Sequence, residues 1–463
     1  MAPIPELAPV PAASCSRLRP SPSSCQEQIR GKKFSYRPIQ AGCLLLALLT
    51  TAGRADPQAA AATENQKIVA DHFVETEQPA VKLSGYVDAG YTYSFTGSGN
   101  QSVVNARPGD PARGDFNLYA LKLVLEKALT QENKAQAGFR VDVFIGEDAN
   151  YLTSHAYADN VDADSNALFF EQAYAQFRVP VGNGWDWKVG KYVSILGYEV
   201  IERPANMNIS YSLLFNDAFS ITYTGVLTSY RFNEFLDAKL GVGNGADSDN
   251  NLTIDGNGDG VTLLAALNLT APAGNANWSH VFGYETSTAN NSSGNPPATL
   301  SSYGFVGATN PDGPAYVYNS WGNWAPRFAD NKLLLAFDSC VGAYCPANGP
   351  AGGATTFWGS SVYAKYQWND WFYLAGRGTY FGADNQNKTG VTTAGGADGS
   401  ISWWSYTLTA GFQLIDNLLI RTEYRMDWGT NMVGGSGGTV TAPGIPGSGG
   451  PAYEASAEVV FSF

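Results

Sequence analysis

Four charged residues at alternate positions, Arg421, Glu423, Arg425 and Asp427, give the strongest chemical signal in the chain. A spacing of two puts them on one face of an extended strand, because successive strand side chains point to opposite sides. The opposite face reads Leu418, Ile420, Thr422, Tyr424, Met426 and Trp428. The same division recurs at Arg140 and Asp142, which oppose Ala137, Phe139, Val141 and Val143. Arg178, Arg377 and Glu458 also fall on the polar sides of their segments. Lys188 and Lys191 occupy opposite faces of one segment, so Lys191 joins this set only across a local bulge. Alternating acids and bases of this kind can filter solutes by charge and dipole across an enclosed aqueous space. They can equally pair with one another and hold a wall.

Catalytic chemistry has less support. Beyond the first 55 residues the histidines are His72, His155 and His280. None has the Ser, Cys or Asp spacing of a nucleophile with its base. GxSxG, Walker and HExxH patterns are absent. The expectation is therefore no enzyme, no catalytic residue and no cofactor. In "DSDNNLTIDGNGDG" (247–260), Asp255, Asn257 and Asp259 match the first half of an EF-hand loop. The twelfth position is Ala266, where a bidentate Glu is required, so this is a weak calcium candidate beside a plain acidic loop. Cys340 and Cys345, in "CVGAYC", form a candidate disulfide if the chain is exported; two thiols are the alternative.

The elements that carry these residues are strands. The chain of 463 residues is 13% aromatic and only 15% charged, with 51 Gly. From Val81 onward, sixteen alternating segments follow one another, starting near Val81, Phe116, Asn133, Leu168, Trp185, Asp217, Phe232, Gly260, Asn275, Gly313, Asp330, Thr355, Trp371, Ile401, Asn417 and Ala452. Short turns such as "VGNG" (181–184) and "IDN" (415–417) alternate with long Gly/Asn/Asp/Ser-rich connections such as 194–216 and 430–451. A soluble sandwich has shorter strands and no such regular short–long order. An open sheet would leave edge amides unpaired in lipid, so the last strand must close on the first. The pattern predicts an all-β fold: a transmembrane antiparallel up-and-down barrel of about 16 strands, with short periplasmic turns and long extracellular loops. Its lining candidates are Arg140, Asp142, Arg178, Lys191, Arg377, Arg421, Glu423, Arg425, Asp427 and Glu458. Trp368 and Trp371 flank one turn and Trp185 and Trp187 follow another, as in an aromatic girdle.

Residues 1–55 read as a signal peptide with an over-long n-region, the translation start being open: Arg30, Lys32, Lys33 and Arg37 precede the apolar run "AGCLLLALLTTA". Residues 56–80 read as a mostly disordered periplasmic lead-in, and 81–463 as the barrel. Losing residues 1–55 takes seven basic and two acidic side chains, leaving 21 basic against 39 acidic, a balance of −18. That excludes a nucleic-acid partner and suggests a bias towards cations, opposed by the interior arginines.

Two stretches, "QAYAQFRVPVGNGWDWKVGKYVSILGYEVI" (172–201) and "NMNISYSLLFNDAFSITYTGVL" (206–227), resemble the OmpL-like putative beta-barrel porin family of Gram-negative outer membranes. "LSGYVDAGYTY" (83–93) and "DFNLYALKLVLEKAL" (115–129) resemble the start of that family, and the resemblance covers residues 81–463. It implies a porin for passive diffusion of small hydrophilic solutes or ions, with no named substrate. A substrate-specific channel, or a closed structural or adhesive barrel with partner-binding outer loops, is the alternative. The implied surroundings are outer-membrane lipid and lipopolysaccharide, the outer-membrane assembly machinery and a bacterial outer-membrane location; porins are often trimers, so a homotrimer is the oligomer to test. In general porins the third outer loop narrows the channel. By that analogy the third long connection, 194–216, is the constriction candidate, with Glu199, Glu202 and Arg203. Phe461 and Phe463, at the end of "EASAEVVFSF", resemble the signal read by the assembly machinery.

Overall fold

The computed structural model describes residues 81–95, 114–149, 152, 168–244, 261–286, 315–330, 332–344, 355–383, 401–430 and 451–463. The leader and lead-in (1–80), the calcium candidates Asp255, Asn257 and Asp259, and Cys345 of the candidate disulfide lie outside the described residues.

Sixteen strands follow in chain order. They are β1 Lys82–Ser94, β2 Asp115–Lys127, β3 Gln136–Ile145, β4 Leu168–Val179, β5 Trp185–Val193, β6 Thr222–Arg231, β7 Leu236–Asn244 and β8 Val261–Thr270. Then come β9 Ala276–Glu285, β10 Ala315–Trp324, β11 Leu333–Tyr344, β12 Thr355–Asn369, β13 Phe372–Ala383, β14 Ile401–Ile415, β15 Leu418–Thr430 and β16 Ala452–Ser462. Each pairs antiparallel with its sequence neighbours, and β16 pairs with β1, so the sheet is a closed barrel. The closing register runs from Tyr86 opposite Ser462 to Ser94 opposite Glu454. Phe463 extends it, exchanging two backbone hydrogen bonds of 2.9 Å with Gly85. No backbone edge is left along this seam, as a lipid setting requires.

Turn chemistry sets the short ends. Between β4 and β5, Gly182 and Gly184 take φ of +59° and +95°, which glycine adopts without a Cβ clash. Asn183 donates its side-chain amide to the Phe232 carbonyl at 2.8 Å, and Asn133 donates to the Gly182 carbonyl at 2.7 Å. Three neighbouring turns are thus tied at one rim. Aromatic rings pack at the same end, Trp371 against Phe412 and Trp185 against Trp187.

The two faces differ as the alternation predicts. Trp404, Tyr406 and Leu408 are exposed on the outside of β14, while Ser405, Thr407 and Thr409 are buried inside. On β15, Arg421, Glu423, Arg425 and Asp427 are all buried inside. The inner face is covered because the chain between β5 and β6 runs within the barrel. It contains a 3-10 turn, Arg203–Ala205, and a short helix, α1, Leu213–Asp217. Ser212 caps α1 by accepting from the Phe215 amide at 3.1 Å, which satisfies one of the open N–H groups of a helix start. Leu213, Leu214 and Phe219 pack with Phe357, Phe381 and Trp403; Tyr211 and Phe215 pack with Tyr86 and Phe144. The sixth strand therefore begins at Thr222, five residues later than the alternation suggests, because Leu213–Asp217 is helical and the inward segment extends to 221.

Candidate functional site

The inward segment 194–221 is fixed to the barrel wall by buried charges. Going along it, the Gly197 amide donates to Asn319 and the Tyr198 amide to Asp338, both at 2.9 Å, on β10 and β11. Glu199 pairs with Arg377 of β13 at 2.7 Å and accepts from the Ser212 amide at 2.7 Å. Arg377 also donates to the Ser210 carbonyl at 2.5 Å and to Thr407 at 3.0 Å. Glu423 of β15 accepts from the Ile209 and Ser210 amides at 2.6 and 3.0 Å and from the Thr409 hydroxyl at 2.7 Å. Arg421 pairs with Glu458 of β16 and donates to the carbonyls of Asn206 (2.9 Å) and Arg203 (3.0 Å). Arg425 pairs with Asp427 and donates to the Tyr211 carbonyl at 2.8 Å.

On the other flank, Glu202 pairs with Lys122 of β2, whose ammonium also meets Glu171 at 2.5 Å and Asp142 at 3.2 Å. Arg203 pairs with Asp148 at 3.0 Å and donates to the Ile209 carbonyl at 3.1 Å. Its guanidinium stacks 3.9 Å from the Tyr211 ring centroid. Asp142, Glu171 and Glu202 bring three carboxylate oxygens within 4.8 Å of one another, a spacing that suits a metal ion. The Lys122 ammonium, bonded to all three, already fills the position a cation would take.

Buried pairs of this kind cost desolvation, so their geometry has to be good; what they supply is a defined position. Here every guanidinium also reaches a backbone carbonyl or hydroxyl of the segment. The wall therefore specifies one path for residues 197–212.

Among the lining candidates, Arg377, Arg421, Glu423, Arg425, Asp427 and Glu458 thus act on the segment or on each other. Arg140 pairs with Asp142 through two bonds of 2.8 Å, and Arg178 with Asp186 at 2.6 Å near the turn rim. Lys191 differs. The pairing of β5 with both neighbours runs without a register shift, so the bulge that would bring it inside is absent. Lys191 sits opposite Ala173 and Thr224, on the face of Val189, with its ammonium 4.7 Å from the Phe169 ring centroid. Lys188 takes the interior position instead.

Lys122, Asp148, Glu171, Asn319 and Asp338 were missed from the sequence. Lys122 and Glu126 do alternate with Leu121, Leu123 and Leu125, so their signal was present. Glu171 had none: a register shift opposite Asp142 and Val143 leaves it unpaired in the ladder beside Gln172, and both side chains are buried.

Between the segment and the β5–β8 wall lies a cavity of about 280 Å³. Gln172, Lys188, Tyr192, Lys239, Asn268 and Trp321 line it from the wall, and residues 194–202 from the segment. Lys188 and Lys239 are half-buried and form no ion pair among the described residues.

A closed, sixteen-strand antiparallel barrel, apolar outside and polar within, is the build of an outer-membrane channel. The chain belongs to the family described as "Putative beta-barrel porin-2, OmpL-like", whose sequence model matches residues 80–463. No curated protein matches the chain. Among solved structures it is similar to the outer membrane channel DcaP of Acinetobacter baumannii, with a TM-score of 0.52 and 11% identity over 84% of this chain and 100% of that one. It is also similar to the trimer form of OmpT from Vibrio cholerae, with a TM-score of 0.51 and 12% identity over 83% of this chain and 99% of that one. Salmonella typhi OmpF, in complex with daunomycin, gives a TM-score of 0.50 and 13% identity over 84% and 100%. At these identities the likeness speaks to the fold.

Proposed function

We propose that the barrel is a diffusion channel for small hydrophilic solutes whose bore is narrowed by residues 194–221. One observation carries this reading: the segment is bonded to strands between β10 and β15 and to β2, and leaves a cavity against β5–β8 that Lys188 and Lys239 reach. A closed adhesive barrel would have no need of a cavity with two lysines inside it. Export by the leader, insertion guided by Phe461 and Phe463, and assembly as a homotrimer belong to the same reading.

Planar-bilayer recording tests it. The wild-type protein is expected to give discrete conductance steps. Glu199→Ala combined with Glu202→Ala is expected to raise the step size, because two of the charged tethers of the segment's first half are lost. Steps of unchanged size would remove the segment from the constriction; no steps at all would remove the channel. Liposome swelling with sugars, amino acids and peptides then separates a general pore, graded by size, from a substrate-specific one.

A further inference from the structure

The cavity beside the inward segment carries basic groups on its wall side and acidic groups on its segment side. Four charged residues reach it: Lys188, Lys239, Glu199 and Glu202. Both glutamates are already engaged, Glu199 by Arg377 and the Ser212 amide, Glu202 by Lys122. The acids around the two lysines are engaged as well. Asp186 pairs with Arg178 at 2.6 Å and Glu126 with Arg140 at 3.5 Å, while Asp237 keeps its charge and accepts from the Asn268 amide at 2.6 Å. The Lys122 knot holds three carboxylates against Lys122 and Arg140, with Asp142 and Glu171 fully buried. Lys188 has the Tyr174 ring as its neighbour, 4.5 Å from its ammonium, and no ion pair among the described residues.

The two lysines stand on β5 and β7 with only β6 between them and a two-residue offset along the strands, about 12 Å apart at the backbone. Side chains of that length can converge on one group. Tyr192, Leu227 and Ala266 make the remaining wall weakly polar, which strengthens a charge–charge attraction relative to open water. At about 30 Å³ per water molecule, the cavity holds roughly the volume of nine waters, the size of a small metabolite.

We infer that Lys188 and Lys239 form a station for the anionic group of a permeating solute, a carboxylate or a phosphate. This rests on the channel reading above and reverses the cation bias that net charge alone suggests. The test is the reversal potential of the reconstituted channel in a potassium chloride gradient, with conductance recorded in the same traces. Lys188→Gln with Lys239→Gln is expected to keep the conductance steps and to lower the anion-to-cation permeability ratio about fivefold per lysine. That is the value for unit charges about 4 Å apart in water. Lys188→Arg with Lys239→Arg is expected to retain the wild-type ratio and guards against a folding defect in the first variant. Succinate and inorganic phosphate, added as separate arms, are expected to block chloride current in the wild type and not in the Gln variant; the stronger blocker names the anionic group. Steps with an unmoved ratio overturn the station while leaving the channel in place. A wild type with no steps removes the channel reading and this inference with it.

Discussion

The two sides of the lumen use charge in opposite ways. From β11 to β16, interior arginines and acids are buried and bonded to each other and to the backbone of residues 197–212. From β5 to β8, Lys188 and Lys239 face a cavity with no carboxylate partner among the described residues. Chemically similar residues on the same kind of strand therefore do different work. What separates them is whether the inward segment covers them. Where it does, the charge is desolvated and must be paired, and its return is a fixed position. Where it stands off and leaves a cavity, the charge stays half-buried and forms no ion pair among the described residues.

The sharpest way to break this contrast is to uncover the anchored side. Arg377→Ala leaves the Glu199 carboxylate buried with only the Ser212 amide, and removes the donor to Ser210 and Thr407. Breaking a buried pair by deleting one partner costs about 3–5 kcal/mol. The segment is expected to detach. Single-channel conductance should rise, and amides 199–212 should lose hydrogen-exchange protection. Wild-type values of both would mean that the pair does not hold the segment.

A milder change tests the same side. Glu423→Gln keeps the shape but leaves a single side-chain acceptor oxygen for the Ile209 and Ser210 amides. One amide then stays buried without an acceptor, at a cost of about 1–3 kcal/mol. Exchange at Ile209 or Ser210 should accelerate while conductance changes less than in Arg377→Ala. Equal effects of the two variants would argue that the segment comes away as one unit.

How far this contrast is legible in the sequence depends on the link considered. The barrel was legible because a strand's period of two writes each face into alternate letters, and 401–414 and 418–428 each show both faces. Closure followed from the cost of open edges in lipid. The polar-face residues were legible as a set, but not their division into anchors and free charges. That division depends on contacts over 160 residues or more in the chain, such as Arg377 with Ser210. Residues 194–216 could be singled out only by their order among the long connections. Lys191 was misplaced and Glu171 missed for one reason: bulges decide the face locally, and alternation does not reveal where they fall.

Ionic strength separates the two sides without any substitution. Charges reached by water are screened over about 10 Å at 0.1 M salt and about 3 Å at 1 M. Buried pairs are screened far less. Ion selectivity set at Lys188 and Lys239 should therefore fade towards unity between these concentrations, while exchange protection of residues 199–212 holds. If both fade together, the anchors are wetter than their burial implies.

The smallest effect is expected at Lys365, and it is the most exacting check. Lys365 also points inward, from β12, with its ammonium 4.1 Å from the Tyr373 ring centroid and no ion pair among the described residues. By residue type and pairing it matches Lys188. It does not line the cavity. If selectivity is set only where the segment narrows the lumen, Lys365 lies away from the deciding position. Lys365→Gln should then change the permeability ratio by less than about twofold, against about fivefold at Lys188. A shift as large as that of Lys188→Gln would mean that position beside the segment is not what matters, and that any unpaired interior lysine sets the charge preference.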